Sequence, residues 1–170
     1  MDCTQVIRAR RSIRKFRPDM PVPRGDVEKM LEAAMMAPSA CNTRPWEFFV
    51  AESPAVKNRL CEVHPYAGML KTAALAIVVC GRPDLQDGKC APFWPEDCGA
   101  AIQNLLLQAV DLGYGTCWCG CYPNERVMTA VQKVLDTAAV PVGLIAVGVP
   151  DEDPPARGLY EPAKVIFLSE

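Results

Sequence analysis

The segment Asp97–Leu112 constrains the fold more than any other stretch of this chain. Ala100, Ala101, Ile102, Leu105, Leu106, Leu107, Ala109, Val110 and Leu112 leave a helix there almost no polar face. A helix that is apolar on most sides has to be covered on most sides. A chain of 170 residues reads as one ordinary domain, 1–170, with limited material to wrap such a helix. The expectation is that a second copy covers it and that the helix lies at the centre of a homodimer. The competing arrangement is a core helix of a monomer.

Other periodicities fill in the architecture around it. Thr4–Arg10 fits a short first helix. Asp26 is placed to cap a helix in which Val27, Met30, Leu31, Ala34 and Met35 recur at helical spacing until Pro38 stops it. Phe48–Val50 reads as a strand. Ser53 and Pro54 open a helix with Val56, Leu60 and Val63 on one face. Leu75–Cys80 is a continuous apolar run, as in a buried strand. Gly113–Tyr122 is extended and broken by glycine. Asn124 caps a helix that turns Val127, Ala130, Val131, Val134 and Leu135 inward. Val142–Val149 is another buried strand, Asp151–Pro155 a polar connection, and Val165–Leu168 a candidate final strand. The order of elements predicts an α+β sandwich with helices on both faces of a mixed sheet.

Three stretches carry chemistry. In the first, Arg8, Arg10, Arg11, Arg14, Lys15 and Arg17 crowd around Ser12. This is either a solvated basic face or an anion site, because arginine presents a planar fork of donors that matches phosphate oxygens and serine adds a hydroxyl. The second, Pro38–Trp46, holds Ser39 and Asn42 just after a helix. They can satisfy the exposed carbonyls of the helix end, or face a polar ligand. The third, Gly113–Tyr122, allows close approach of backbone to a planar ligand, or offers Cys117, Cys119 and Cys121 to a metal. Metal is disfavoured on two counts: Cys119 is expected to face away from the other two, and Cys90 and Cys98 do not complete a zinc spacing. The only histidine, His64, is assigned a capping or surface role. No phosphate-binding glycine loop and no Gly-x-Ser-x-Gly elbow is present.

Composition narrows the function classes. The formal net charge is -2, which favours neither nucleic acid nor an anionic membrane. No apolar run approaches the roughly 20 residues needed to span a bilayer. The N-terminus lacks a signal-peptide pattern, so the cytoplasm is the expected location. Nine cysteines is an odd count, which argues against a disulfide framework and for mostly reduced thiols.

Taken in order, the segments resemble the nitroreductase family of FMN-dependent oxidoreductases. The resemblance is carried by Arg10-Arg11-Ser12-Ile13-Arg14-Lys15-Phe16, by Ala37-Pro38-Ser39 with Asn42 and Pro45-Trp46, and by Gln103–Leu107 continuing through Leu112–Trp118. It implies a nitroreductase-like three-layer α/β/α sandwich with a mixed, mainly antiparallel sheet, in an interlocked homodimer. It implies that Arg10 and Ser12, with Arg11 beside them and Arg157 from the C-terminal side, hold the FMN phosphate. Arg14 would reach the pyrimidine edge of the ring. Pro38, Ser39 and Asn42 would contact the flavin held mainly by the other subunit. Trp118, Cys119 and Gly120 would lie along the ring, with the backbone N–H near Gly120 at flavin N5. NADH or NADPH would then deliver a hydride to the flavin, for transfer to a small electron-poor acceptor, with no catalytic side chain required. Tyr66 and Met69 stand where many members carry a lysine or asparagine.

Overall fold

The structure is a computed structural model that describes residues 1–155, 158 and 160–168. A sheet of four strands forms its middle layer: β1 (Trp46–Ala51), β2 (Leu75–Gly81), β3 (Gly115–Gly120) and β4 (Val140–Gly148), in the spatial order β1-β2-β4-β3. All three ladders are antiparallel. The parallel component, among the described residues, is a single bridge between Ser12 and Thr116 at the free edge of β3. The central strands β2 and β4 are buried on both faces and are correspondingly apolar throughout.

Helices cover both faces. Two of them, α2 (Arg24–Met35) and α4 (Trp94–Asp111), pack on the face that presents Leu75, Ile77, Val79, Ile145 and Val147. The opposite face, with Ala76, Val78, Leu144 and Ala146, is covered by α3 (Pro54–Val63) and α5 (Glu125–Leu135). A short α1 (Cys3–Ala9) is capped by a reciprocal Asp2–Gln5 box. The result is the expected α/β/α sandwich.

Local chemistry explains most boundaries and several departures. Asn124 caps α5 by accepting from the Val127 N–H. Asp26 does not cap α2, which starts at Arg24 after Pro23. It sits in the first turn instead and accepts from Lys29 and from the Tyr114 hydroxyl, at 2.8 Å in each case. Helix α4 starts a turn before the expected Asp97, because Pro95 suits a first helical turn.

Four sequence expectations need correction. First, Val165–Leu168 pairs with no strand; Ile166, Phe167 and Leu168 stand exposed. Second, the apolar side of α4 is largely covered within the chain: Ala101, Ile102, Leu105, Leu106 and Ala109 are buried by α2 and the sheet. Ala100, Leu107, Val110 and Leu112 stay half-buried, so the surface of this segment that a second copy could still cover is narrower than its composition implies. Third, Cys117, Cys119 and Cys121 all point into the layer beneath α3 and α5. Side chains two apart on a strand share a face, so Cys119 does not turn away from its neighbours. Fourth, His64 is not at the surface: it is 1% exposed, although its backbone does close α3.

Candidate functional site

The basic N-terminal segment is laid along the free edge of β3 and over the chain that leaves β4. Ile13 N–H donates to the Thr116 carbonyl at 2.8 Å, Arg17 N–H to Val149 and Asp151 N–H to Lys15. The Glu152 carboxylate accepts from the backbone N–H groups of both Arg14 and Lys15. Ile13 and Phe16 plug into the core. A Cβ on Gly115 would stand 2.8 Å from Ile13, so this docking needs a glycine there. With the apolar residues anchored, the arginines are left outside.

Those arginines line a cavity of about 770 Å³ together with Ser12 and Tyr160. The cations are Arg8, Arg10, Arg11 and Arg14, and none of them meets a carboxylate among the described residues. Arg11 is partly committed, since it donates to the carbonyls of Arg8 and Arg10 at 2.6 Å. Arg10 and Ser12 also border a second cavity of about 340 Å³, with Gln103, Leu106, Thr116 and Trp118. Thr116 is 1% exposed, and its hydroxyl has no hydrogen-bond partner. Buried hydroxyls are almost always paired, so this one is suited to a ligand. Trp118 is 40% exposed, and its indole lies over Gly143, where a Cβ would come within 2.3 Å of the ring nitrogen. Gly120 lies on the same face, and a Cβ there would meet nothing within 4 Å. The basic cavity and the cavity beside β3 thus share Arg10 and Ser12 as a common border.

Not every expected residue joins this group. Arg14 lines the arginine cavity and is not among the residues around Trp118. The Cys119 side chain is on the opposite face of the sheet, donating to the Tyr66 carbonyl at 3.3 Å. Arg157 lies outside the described residues. Pro38 and Ser39 line a third cavity of about 380 Å³, shared with Phe93, Glu96 and Asp97.

The loop after α2 is held by a network that its sequence does not announce. Cys41, Asn42 and Arg44 have φ near +50°, at 51°, 55° and 51°. Non-glycine residues seldom adopt this region without outside restraint. The restraint comes from several sides. Ser39 Oγ accepts from Arg44 N–H at 2.9 Å, and the buried Asp97 carboxylate accepts from Ala40 N–H at 3.0 Å. Gln86 donates to Asp97 at 2.7 Å and to Thr43 at 2.9 Å. Cys41 is disulfide-bonded to Cys90. A separation of 49 residues leaves this pairing invisible in the sequence, although seven free thiols among nine cysteines agree with mostly reduced thiols.

The other seven cysteines are free. Burial pushes the Cys98 and Cys121 thiols up to about 12 and raises Cys80 as well. Protein unfolded without reductant should therefore titrate seven thiols, and nine after reduction. In the native state, exposed Cys3 should alkylate well before Cys80, Cys98 and Cys121. Peptide mapping by mass spectrometry checks both; nine free thiols before reduction would disprove the Cys41–Cys90 bond.

Comparison with known proteins places the chain among relatives of one kind. A sequence model of the nitroreductase family matches residues 7–64 and 62–149. A Methanothermobacter thermautotrophicus protein named "Putative NADH dehydrogenase/NAD(P)H nitroreductase" is 40% identical over 167 residues, covering 97% of this chain and 86% of its own. A solved structure from Parabacteroides distasonis with the same designation superposes with a TM-score of 0.91 at 32% identity, over 98% of each chain. One from Desulfovibrio desulfuricans, solved with FMN, superposes with a TM-score of 0.82 at 25% identity, over 98% of this chain and 96% of that one.

Proposed function

The chain belongs to the nitroreductase family, and from that premise we propose that it is an FMN-dependent oxidoreductase. In this reading it takes a hydride from NADH or NADPH and passes it to an electron-poor acceptor such as a nitroaromatic or a quinone. The observation that carries the proposal is the pair of neighbouring cavities that share Arg10 and Ser12. Cations without carboxylate partners surround Ser12 at one end, and an orphan hydroxyl with an open strand face lies at the other. That donor set fits a ligand with one phosphate and a planar ring.

Bound FMN would supply the two-electron chemistry itself. The chain's part is to bind and orient. Arg10 and Ser12 hold the phosphate, with charge-assisted hydrogen bonds from the guanidinium fork. Thr116, which borders the second cavity, would offer its unpaired hydroxyl to the bound group. Trp118 would wall the ring side, and the Gly120 N–H would be the donor offered to the ring. Arg14, for which the resemblance implies the pyrimidine edge, lines the arginine cavity and would add positive charge at that end. Donor and acceptor would use the same open face in turn, a ping-pong exchange that needs no general base.

We also propose a homodimer. Ser39 and Asn42 lie on the loop that borders the third cavity, apart from the arginines. Ile166, Phe167 and Leu168 extend uncovered from the chain, and such a run of apolar side chains calls for a partner surface. No described helix is long and apolar enough to cross a membrane.

The purified protein should be yellow and release FMN, not FAD, on denaturation. NADH or NADPH added without oxygen should bleach it, and an added quinone or nitroaromatic should restore the colour. Light scattering should report twice the 18.6 kDa chain mass. Colourless protein that fails to take up FMN would overturn the reading. FMN that binds but is not reduced by either nucleotide would leave a flavin-binding protein with little turnover.

A further inference from the structure

We propose that His64 is a positioning residue: it clamps the Gly120 peptide so that the Gly120 N–H projects from the edge of β3 toward the flavin. The proposal rests on the reading above, in which the ring lies against β3.

The direction of that N–H follows from strand parity. Strand β3 is at the edge of the sheet. Along a strand, successive residues point their N–H and C=O groups alternately to one side and the other. The Thr116 carbonyl faces outward, because it accepts from Ile13. The Cys121 N–H faces inward, because it donates to Val142 of the neighbouring chain segment at 2.9 Å. Both observations turn the N–H and C=O of Gly120 outward, past the point where the N-terminal segment covers the edge.

Gly120 is a poor place to hold a hydrogen-bond donor without help. It is the last residue of an edge strand, and glycine is the softest backbone unit. His64 supplies the help. Its Nε2 lies 3.0 Å from the Gly120 carbonyl oxygen. Its Nδ1 accepts from the Tyr66 N–H at 3.2 Å. An Nδ1 that accepts leaves the proton on Nε2, so the imidazole donates to Gly120. The ring is almost fully buried and bonded at both nitrogens, hence fixed in place. Holding the carbonyl of Gly120 fixes its ψ, and with it the relation of its outward N–H to the chain that follows.

Hydrogen bonding from a backbone N–H to N5 favours oxidised flavin, whose N5 is the better acceptor. Loosening Gly120 should therefore weaken oxidised FMN more than reduced FMN. His64→Asn can still accept from Tyr66 but is too short to reach Gly120, whereas His64→Gln can place a donor near the lost Nε2. In His64→Asn, oxidised FMN should lose about tenfold in affinity relative to reduced FMN, a rise in midpoint potential of about 30 mV. The N5 resonance of isotopically labelled FMN should move toward that of the free cofactor. His64→Gln should recover part of both changes. Because the chain has one histidine, its tautomer in the wild-type protein can also be read directly by nitrogen NMR, with Nε2 carrying the proton as the expected result. A proton on Nδ1, or a folded His64→Asn variant whose bound FMN keeps the wild-type potential and N5 resonance, would overturn the proposal. Failure of wild-type protein to bind FMN would instead overturn the functional reading beneath it.

Discussion

Arg10→Ala should weaken FMN binding by about one to two orders of magnitude. Arg10 borders both cavities and meets no carboxylate among the described residues. Its charge is therefore uncommitted before a ligand arrives. A hydrogen bond to a charged group contributes about 1.5–3 kcal/mol, and a factor of ten corresponds to about 1.4 kcal/mol. Neighbouring Arg8 and Arg14 would soften the loss by keeping the pocket positive. Arg10→Lys should recover only part of the affinity, since it restores a charge but not the planar fork. Binding should also weaken with added salt, as expected for an exposed phosphate contact. Fluorescence titration of the FMN-free protein measures all three. Wild-type affinity in Arg10→Ala would remove this arginine from the phosphate site.

What could be read from the sequence is what depends on local pattern. The periodicity around Leu105 and around Val131, the Asn124 cap and the apolar runs of β2 and β4 each follow from neighbours within a few residues. So does the cluster of arginines at Ser12, whose exposure follows from Ile13 and Phe16 being drawn into the core. What escaped depends on the fold bringing distant groups together. Thr116 reads as an ordinary strand residue until the missing partner of its hydroxyl is seen. His64 sits before a proline at a helix end, and nothing nearby marks it for burial against Gly120, 56 positions away. The Cys41–Cys90 bond joins two loops with no shared pattern. The facing of Cys119 is a different matter. Period-two alternation puts Cys117, Cys119 and Cys121 on one face of the strand, and the same alternation puts Thr116, Trp118 and Gly120 together on the other. The apolar α4 also shows a limit of composition. Hydrophobicity requires cover, but it does not say whether the cover comes from the same chain or another.

Asp97 should be the costliest polar residue to remove, although it touches no proposed ligand. It is buried near the start of α4, and its two oxygens accept from Ala40 N–H and from Gln86. Asp97→Ala leaves the Ala40 N–H without its acceptor and takes from the buried Gln86 amide one of its two acceptors, Thr43 remaining. The unpaired N–H costs about 1–3 kcal/mol and the lost second bond of Gln86 about 1 kcal/mol more, so the total is about 2–4 kcal/mol. At about 2–4 °C per kcal/mol for a chain of this size, Tm should fall by roughly 10 °C. The measurement belongs on FMN-free protein at fixed concentration, because ligand and partner both raise apparent stability. Asp97→Asn should cost less. One oxygen can still accept from Ala40, and Gln86 can rotate its amide so that its unpartnered Oε1 accepts from the new amide. That rotation gives up the bond from Gln86 to Thr43. Asp97→Ala should also loosen the loop in which Cys41, Asn42 and Arg44 hold left-handed backbone, since the Asp97–Ala40 bond is one of its anchors. FMN affinity should then fall even though Arg10 and Ser12 are untouched, because the loop carries Ser39 and Asn42. A variant Asp97→Ala that melts within about 2 °C of the parent and binds FMN equally well would show that this network does not hold the loop.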